Sequence, residues 1–181
     1  LFPELGDFTG RMVVSATSQV AALTLRQNAV AATPLTTLPA LPLSSQQTEF
    51  VLPQVANGFQ GGIGIKTQFI FFSLGQRSDV TVEMTDADGN PFPVNLSNGA
   101  TGSSFDLDLS QDGAIFVETD GTGTLKRGAA RVSSSAPIGV TAIFSLLDSE
   151  GKVTVEAGIG DSPTLTDLTV PIDLTGGFNT G

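Results

Sequence analysis

The sequence predicts an all-β fold, and three observations carry that prediction. Helix signals are scarce, 21 Gly and 10 Pro punctuate the chain, and short β-branched or aromatic runs recur at the spacing of a sandwich. Several runs alternate with a period of two: Val80, Val82 and Met84 fall on one side of a pleat, and Asp79, Thr81, Glu83 and Thr85 on the other. A helix would scatter the same apolar residues around its axis.

In chain order the candidate strands are Gly10–Ser15, Val20–Arg26, Thr48–Leu52, Ile65–Leu74, Asp79–Asp86, Phe92–Asn95, Ser103–Leu109, Ala114–Thr119, Gly128–Ser134, Ile138–Leu147, Lys152–Glu156 and Leu168–Ile172. Gly61-Gly62 opens the fourth of these; the phosphate-loop pattern fails there because no Lys follows the glycines directly and no helix start follows them. The run Phe69-Ile70-Phe71-Phe72 is apolar on both faces, as in a strand covered on both sides. Asp88-Gly89-Asn90, Asp112-Gly113 and Glu150-Gly151 each sit between candidate strands and read as hairpin turns. Ala31–Ser45, with Pro34, Pro39 and Pro42, reads as an extended connector.

Composition narrows the function. The chain of 181 residues has no His, Cys, Trp or Tyr, so the commonest general base, the thiol nucleophile and the soft metal ligands are missing together. With 18 Asp+Glu against 8 Lys+Arg, a net charge of −10 opposes a phosphate-binding surface, and nucleic acid is not expected as a partner. No apolar run reaches the ~18 to 20 residues of a membrane span; the longest, Pro137 to Leu147, is broken by Gly139, Thr141 and Ser145.

The chain also matches itself when shifted. Val14-Ser15 meets Val132-Ser133 at an offset of 132 − 14 = 118, where Gly10 meets Gly128, Val20 meets Ile138 and Leu25 meets Ile143. At that same offset of 168 − 50 = 118, Phe50-Val51-Leu52-Pro53 resembles Leu168-Thr169-Val170-Pro171. Nearby, Gly58-Phe59-Gln60-Gly61-Gly62 resembles Gly177-Phe178-Asn179-Thr180-Gly181 at 177 − 58 = 119. The expected organisation is therefore a C-terminal half-module plus connector over 1–45, a complete repeat over 46–162, and the first strand of a further repeat over 163–181.

On these motifs, with Leu1-Phe2-Pro3, Asp7-Phe8-Thr9-Gly10 and Ala22-Leu23-Thr24-Leu25-Arg26, the sequence resembles the tandem β-sandwich (Ig-like) repeats of large bacterial secreted and cell-surface proteins. The resemblance is carried by turn glycines and core apolar residues. It implies an Ig-like, Greek-key antiparallel β-sandwich with additional terminal strands from neighbouring modules, located outside the cell or on its surface. Proteins of this kind serve as stalks, filaments or adhesive surfaces.

Two acidic groups bear on chemistry. Asp86, Asp88 and Asn90 place oxygens at alternate positions, as calcium loops do, but the later Gly and closing Glu of the helical loop are absent, so an Asp-Gly turn is the plainer reading. A second group, Asp106, Asp108 and Asp112, is set against Phe105, Leu107 and Leu109, the pattern of a strand with one wet face. Glu83, Glu118, Asp86 and Asp120 are the types a carboxylate-only glycosidase uses. Without Trp or Tyr as sugar platforms, the 12 Phe residues are assigned to the core.

The expected function is non-enzymatic and structural or adhesive, with no cofactor beyond the calcium reading. The partners are copies of the chain or neighbouring repeats, and the surface ligand is unspecified. Phe8, Val13, Leu23, Leu25, Leu168, Val170 and Phe178 are the expected strand-pairing residues, because a strand edge left open in one chain is completed by a strand from another. Folding of both ends back onto the central sandwich is the alternative for these segments, and a carbohydrate-binding accessory module is the alternative function.

Overall fold

A computed structural model describes residues 9–27, 35–162, 164–172 and 175–176. Its strands are β1 (Leu23–Gln27), β2 (Leu35–Pro39), β3 (Glu49–Gln60), β4 (Ile63–Ser73), β5 (Ser78–Asp86), β6 (Val94–Asn95), β7 (Thr101–Gly102), β8 (Ser104–Leu109), β9 (Ala114–Glu118), β10 (Lys126–Ser134), β11 (Ile138–Leu147) and β12 (Val153–Ile159). The fold is all-β, and these strands pair antiparallel throughout.

One hydrogen-bonded path, β12-β11-β4-β3-β10-β5-β8, with β9 also on β4, curls over a single core. The curl begins at the β3–β4 turn, where Gly61 and Gly62 take φ of 62° and 84°, a conformation that costs a residue without Cβ little. Only Gly58–Gln60 and Ile63–Ile65 pair across that turn. Beyond it β3 leaves to pair with β10, while β4 pairs with β11 on one edge and β9 on the other. The result is sandwich-like, with β3-β10-β5-β8 facing β9-β4-β11-β12. The pairs nest along the chain, β5–β8 inside β4–β9 inside β3–β10.

Alternation places the core. Val80, Val82 and Met84 of β5 are buried as expected, together with Phe50 and Leu52 of β3, Phe69 and Phe71 of β4, Ala130 and Val132 of β10, and Val140 and Ala142 of β11. The rings of Phe69 and Phe71 lie 6.3 Å apart and nearly parallel. Ile70 faces the other way yet is also buried: opposite Thr141 in the ladder, it belongs to the face that N-terminal residues cross. There Arg26 donates to Gln68 at 2.7 Å, and Arg11 donates to the Ser73 carbonyl at 3.0 Å. The two-faced apolar run thus has cover on both sides.

Four expectations are corrected. Leu35–Pro39, read as connector, is β2 and pairs residue for residue with β1; its Pro39 sits at the strand end, where a missing N–H costs no ladder bond. Asp112-Gly113 does not close a hairpin, since β8 pairs with β5 whereas β9 pairs with β4, so the turn carries the chain from one face of the sandwich to the other. β3 continues past Leu52 to Gln60 because Ala56 gives its N–H to the Thr67 hydroxyl and accepts that hydroxyl's proton, both at 3.0 Å. Gly10–Ser15 and Leu168–Ile172 are not strands; their alternation has no partner among the described residues.

The Glu150-Gly151 turn does join a hairpin, β11–β12. Asp88-Gly89-Asn90 reverses the chain so that Phe92 donates to the Met84 carbonyl at 3.0 Å, although it is β8 that pairs along β5.

Candidate functional site

The expected strand-pairing residues divide into three groups. Phe8 and Phe178 lie outside the described residues. Leu23 and Leu25 lie on β1, one edge of which pairs with β2; both side chains are exposed, as is Leu35 of β2. Val13, Leu168 and Val170 are exposed, lie in no strand, and make no hydrogen bond to another described residue.

The β1–β2 hairpin is two-sided. In the ladder Arg26 stands opposite Thr36 and Thr24 opposite Leu38, so these four share one face, and Leu23, Leu25, Leu35 and Pro39 share the other. The first face lies on the sandwich: Thr36 is buried, and a Cβ on Gly158 of β12 would overlap the Thr37 carbonyl oxygen. Arg26 anchors it, reaching the Glu156 carboxylate at 3.5 Å. The Glu156 side chain is 4% exposed, and its Oε2 has no hydrogen-bond partner. Replacing Arg26 by Ala strands that charge and is expected to cost about 1–3 kcal/mol, relieved by release of the hairpin. Hydrogen exchange at Leu23–Gln27 should then accelerate while β4 stays protected; unchanged exchange would contradict the anchor.

The acidic groups close turns and pairs. Asp86 Oδ1 accepts from the backbone N–H groups of Asp88 and Asn90 at 3.0 and 2.9 Å, and these bonds, that to Asn90 foremost, hold its carboxyl below the ordinary carboxylate range. Asp86, Asp88 and Asn90, the residues of the calcium reading, form an Asp-headed turn bonded to its own backbone. Asp108 is held low by a two-pronged hydrogen bond from Arg77, at 2.9 and 2.8 Å. Glu118 pairs with Lys66 at 3.0 Å. Among the described residues no group of three or more His, Cys, Asp or Glu is arranged to hold a metal ion.

Asp120 ties the connection between β9 and β10 to Asn57 of β3 and Asn95 of β6. Partial desolvation of this otherwise exposed carboxyl would raise its pKa, but bonds from the Thr122 hydroxyl and N–H (2.7 and 2.9 Å), Asn95 (2.9 Å) and Asn57 (3.3 Å) outweigh that and bring it from 3.8 to about 2. These are downward displacements, opposite to the upward shift a general acid needs. A carboxyl with a lower pKa folded than unfolded stabilises the fold fully above the unfolded value of 3.8 and loses that contribution as pH falls through about 2. Since Asp120 is exposed, screening limits the effect to about 1 kcal/mol. The urea midpoint should decline between pH 5 and pH 2, and less steeply in Asp120→Asn; identical slopes would contradict this role.

What these features define is an acidic, antiparallel, sandwich-like β protein; most of its exposed large apolar side chains lie in residues 12–43 and 165–172, with Phe59, Ile63 and Val155 exposed on the sandwich itself. Among the described residues no helix is long and apolar enough to cross a membrane. Comparisons with protein-family models, curated proteins and solved structures find no match for the chain.

Proposed function

We propose that this chain is a non-enzymatic structural or adhesive module of an extracellular bacterial filament, stalk or surface protein, and that it assembles with copies of itself or with neighbouring repeats by strand complementation. The observation that carries this reading is the exposure of three consecutive apolar residues in Met12–Val14 and of alternating ones in Leu168–Ile172, without a ladder for either segment. Such segments gain hydrogen bonds and bury apolar area by adding to a sheet in another chain.

The β1–β2 hairpin supports the repeat reading. Shifted by 118 residues, Leu25 falls on Ile143 of β11 and Leu38 on Glu156 of β12, so the hairpin occupies the sequence position of β11–β12 in the complete module. The finer fold we assign is a Greek-key sandwich. Its nested pairs resemble a long hairpin rolled onto itself, the wiring of a jelly roll, more than the strand order of an immunoglobulin domain.

Light scattering and electron microscopy of the purified chain test the reading. Assembly should grow with protein concentration and with salt, because a net charge of −10 repels like copies until it is screened. A monomer at every concentration and ionic strength, with no fibres, would overturn it.

A further inference from the structure

The pair β3–β10 shows what Met12–Val14 and Leu168–Val170 would make together. In it Phe50 stands opposite Val132, Val51 opposite Arg131 and Leu52 opposite Ala130. Phe50, Leu52, Val132 and Ala130 are at most 4% exposed. The repeat offset carries each to a terminal residue: 132 − 118 = 14 and 130 − 118 = 12 give Val14 and Met12, and 50 + 118 = 168 and 52 + 118 = 170 give Leu168 and Val170. These counterparts are 57%, 69%, 64% and 67% exposed. The chain therefore carries both halves of a second β3–β10 pair, one near each end. The structure does not join them to each other.

We propose that Leu168–Ile172 of one copy pairs antiparallel with Gly10–Val14 of a second copy, with Leu168 opposite Val14 and Val170 opposite Met12. The pairing rests on the assembly reading above and gives it a register. Each copy uses one end as donor and the other as acceptor, so the contact is head-to-tail and propagates. The two segments are chemically matched to this register. Leu168 and Val170 are two positions apart, as are Met12 and Val14, so one face of the new ladder is apolar. Pro171 corresponds to Pro53, where β3 is irregular against β10: Gly128 pairs with Val55 but Ala130 with Leu52, leaving an extra residue on β3. A proline's missing N–H is tolerated at such a bulge.

Hydrogen-bond direction makes the register testable. Val51 turns its N–H and C=O away from β10, to the Asp161 carboxylate at 2.7 Å and the Ser162 N–H at 2.9 Å. Val51 and Arg131 thus form a non-hydrogen-bonded pair, and so would their counterparts Thr169 and Val13. Cα atoms at such a pair lie about 4.5 Å apart, within disulfide range. Both side chains would point away from the apolar face, and the chain contains no Cys.

Full-length Val13→Cys and Thr169→Cys chains are mixed at a concentration where scattering shows assembly, oxidised mildly and mapped by mass spectrometry. The disulfide-linked heterodimer of these two variants should exceed that from a Val13→Cys plus Asp167→Cys mixture by about tenfold, because pairing holds only the first two thiols together. Equal yields in an assembled sample overturn the register and leave the assembly reading standing. Absence of assembly in the unsubstituted chain overturns both.

Discussion

Replacing Phe71 by Ala is expected to destabilise the chain by about 3–5 kcal/mol, the larger of two effects that probe the core. Phe71 is fully buried at the centre of β4, with Val140 of β11 opposite it on one edge and Ile115 of β9 on the other. Its ring also stacks on Phe69. The ladders of β11 and β9 hold the neighbouring backbone in place, so the space can be closed only in part by side-chain relaxation. Since a domain's whole stability is typically about 5–15 kcal/mol, denaturant midpoints should fall steeply. Loss below about 1 kcal/mol would mean that the two faces do not close over this residue.

The second large effect is at Gly128, in β10, between β3 and β5. A Cβ there would overlap the carbonyl oxygen of Thr85, and it would come within 2.8 Å of that residue's carbonyl carbon and 2.9 Å of Asp86 Cα. These are backbone atoms of β5, held by the ladder that pairs Gly128 with Asp86 and Ala129 with Thr85. They cannot rotate aside as a side chain would. Gly128→Val should therefore cost about 1–3 kcal/mol or more, with hydrogen exchange accelerated in β5 and β10 first. An unchanged midpoint would contradict the close approach of these strands.

Much of the fold is legible in the sequence because short-range pattern and burial agree. Ile65–Leu74, Asp79–Asp86, Ala114–Thr119 and Ile138–Leu147 fall within two residues of β4, β5, β9 and β11, since alternation or a continuous apolar run marks a strand wherever the core claims it. The misses concern partners. Asp112-Gly113 has hairpin chemistry, and Asp112 does adopt positive φ, but a turn's local preference does not say whether the following strand joins the same face or the opposite one. β2 is hidden because its proline and threonines match a connector, and only its ladder with β1 reveals it.

The candidate site is legible in the same partial way. Leu168 and Val170 carry the alternation of Phe50 and Leu52, which marks them as a candidate strand. That pattern is silent on which edge receives them. Arg26 and Glu156 escape the sequence altogether: a lone Arg in an apolar strand and a lone Glu in another have no sequence signal of contact, and their pairing depends on β1–β2 lying across β12.

The central claim is that the described sandwich has a complete core while segments near its two ends complete one another between copies. Hydrogen exchange measured against protein concentration addresses it most directly. The account predicts that amides of Gly10–Val14 and Leu168–Ile172 gain protection together as assembly proceeds, with β4, β5 and β10 protected equally at every concentration. Assembly that leaves both terminal segments exchanging freely, or that protects only the edge strands β8 and β12, would contradict it.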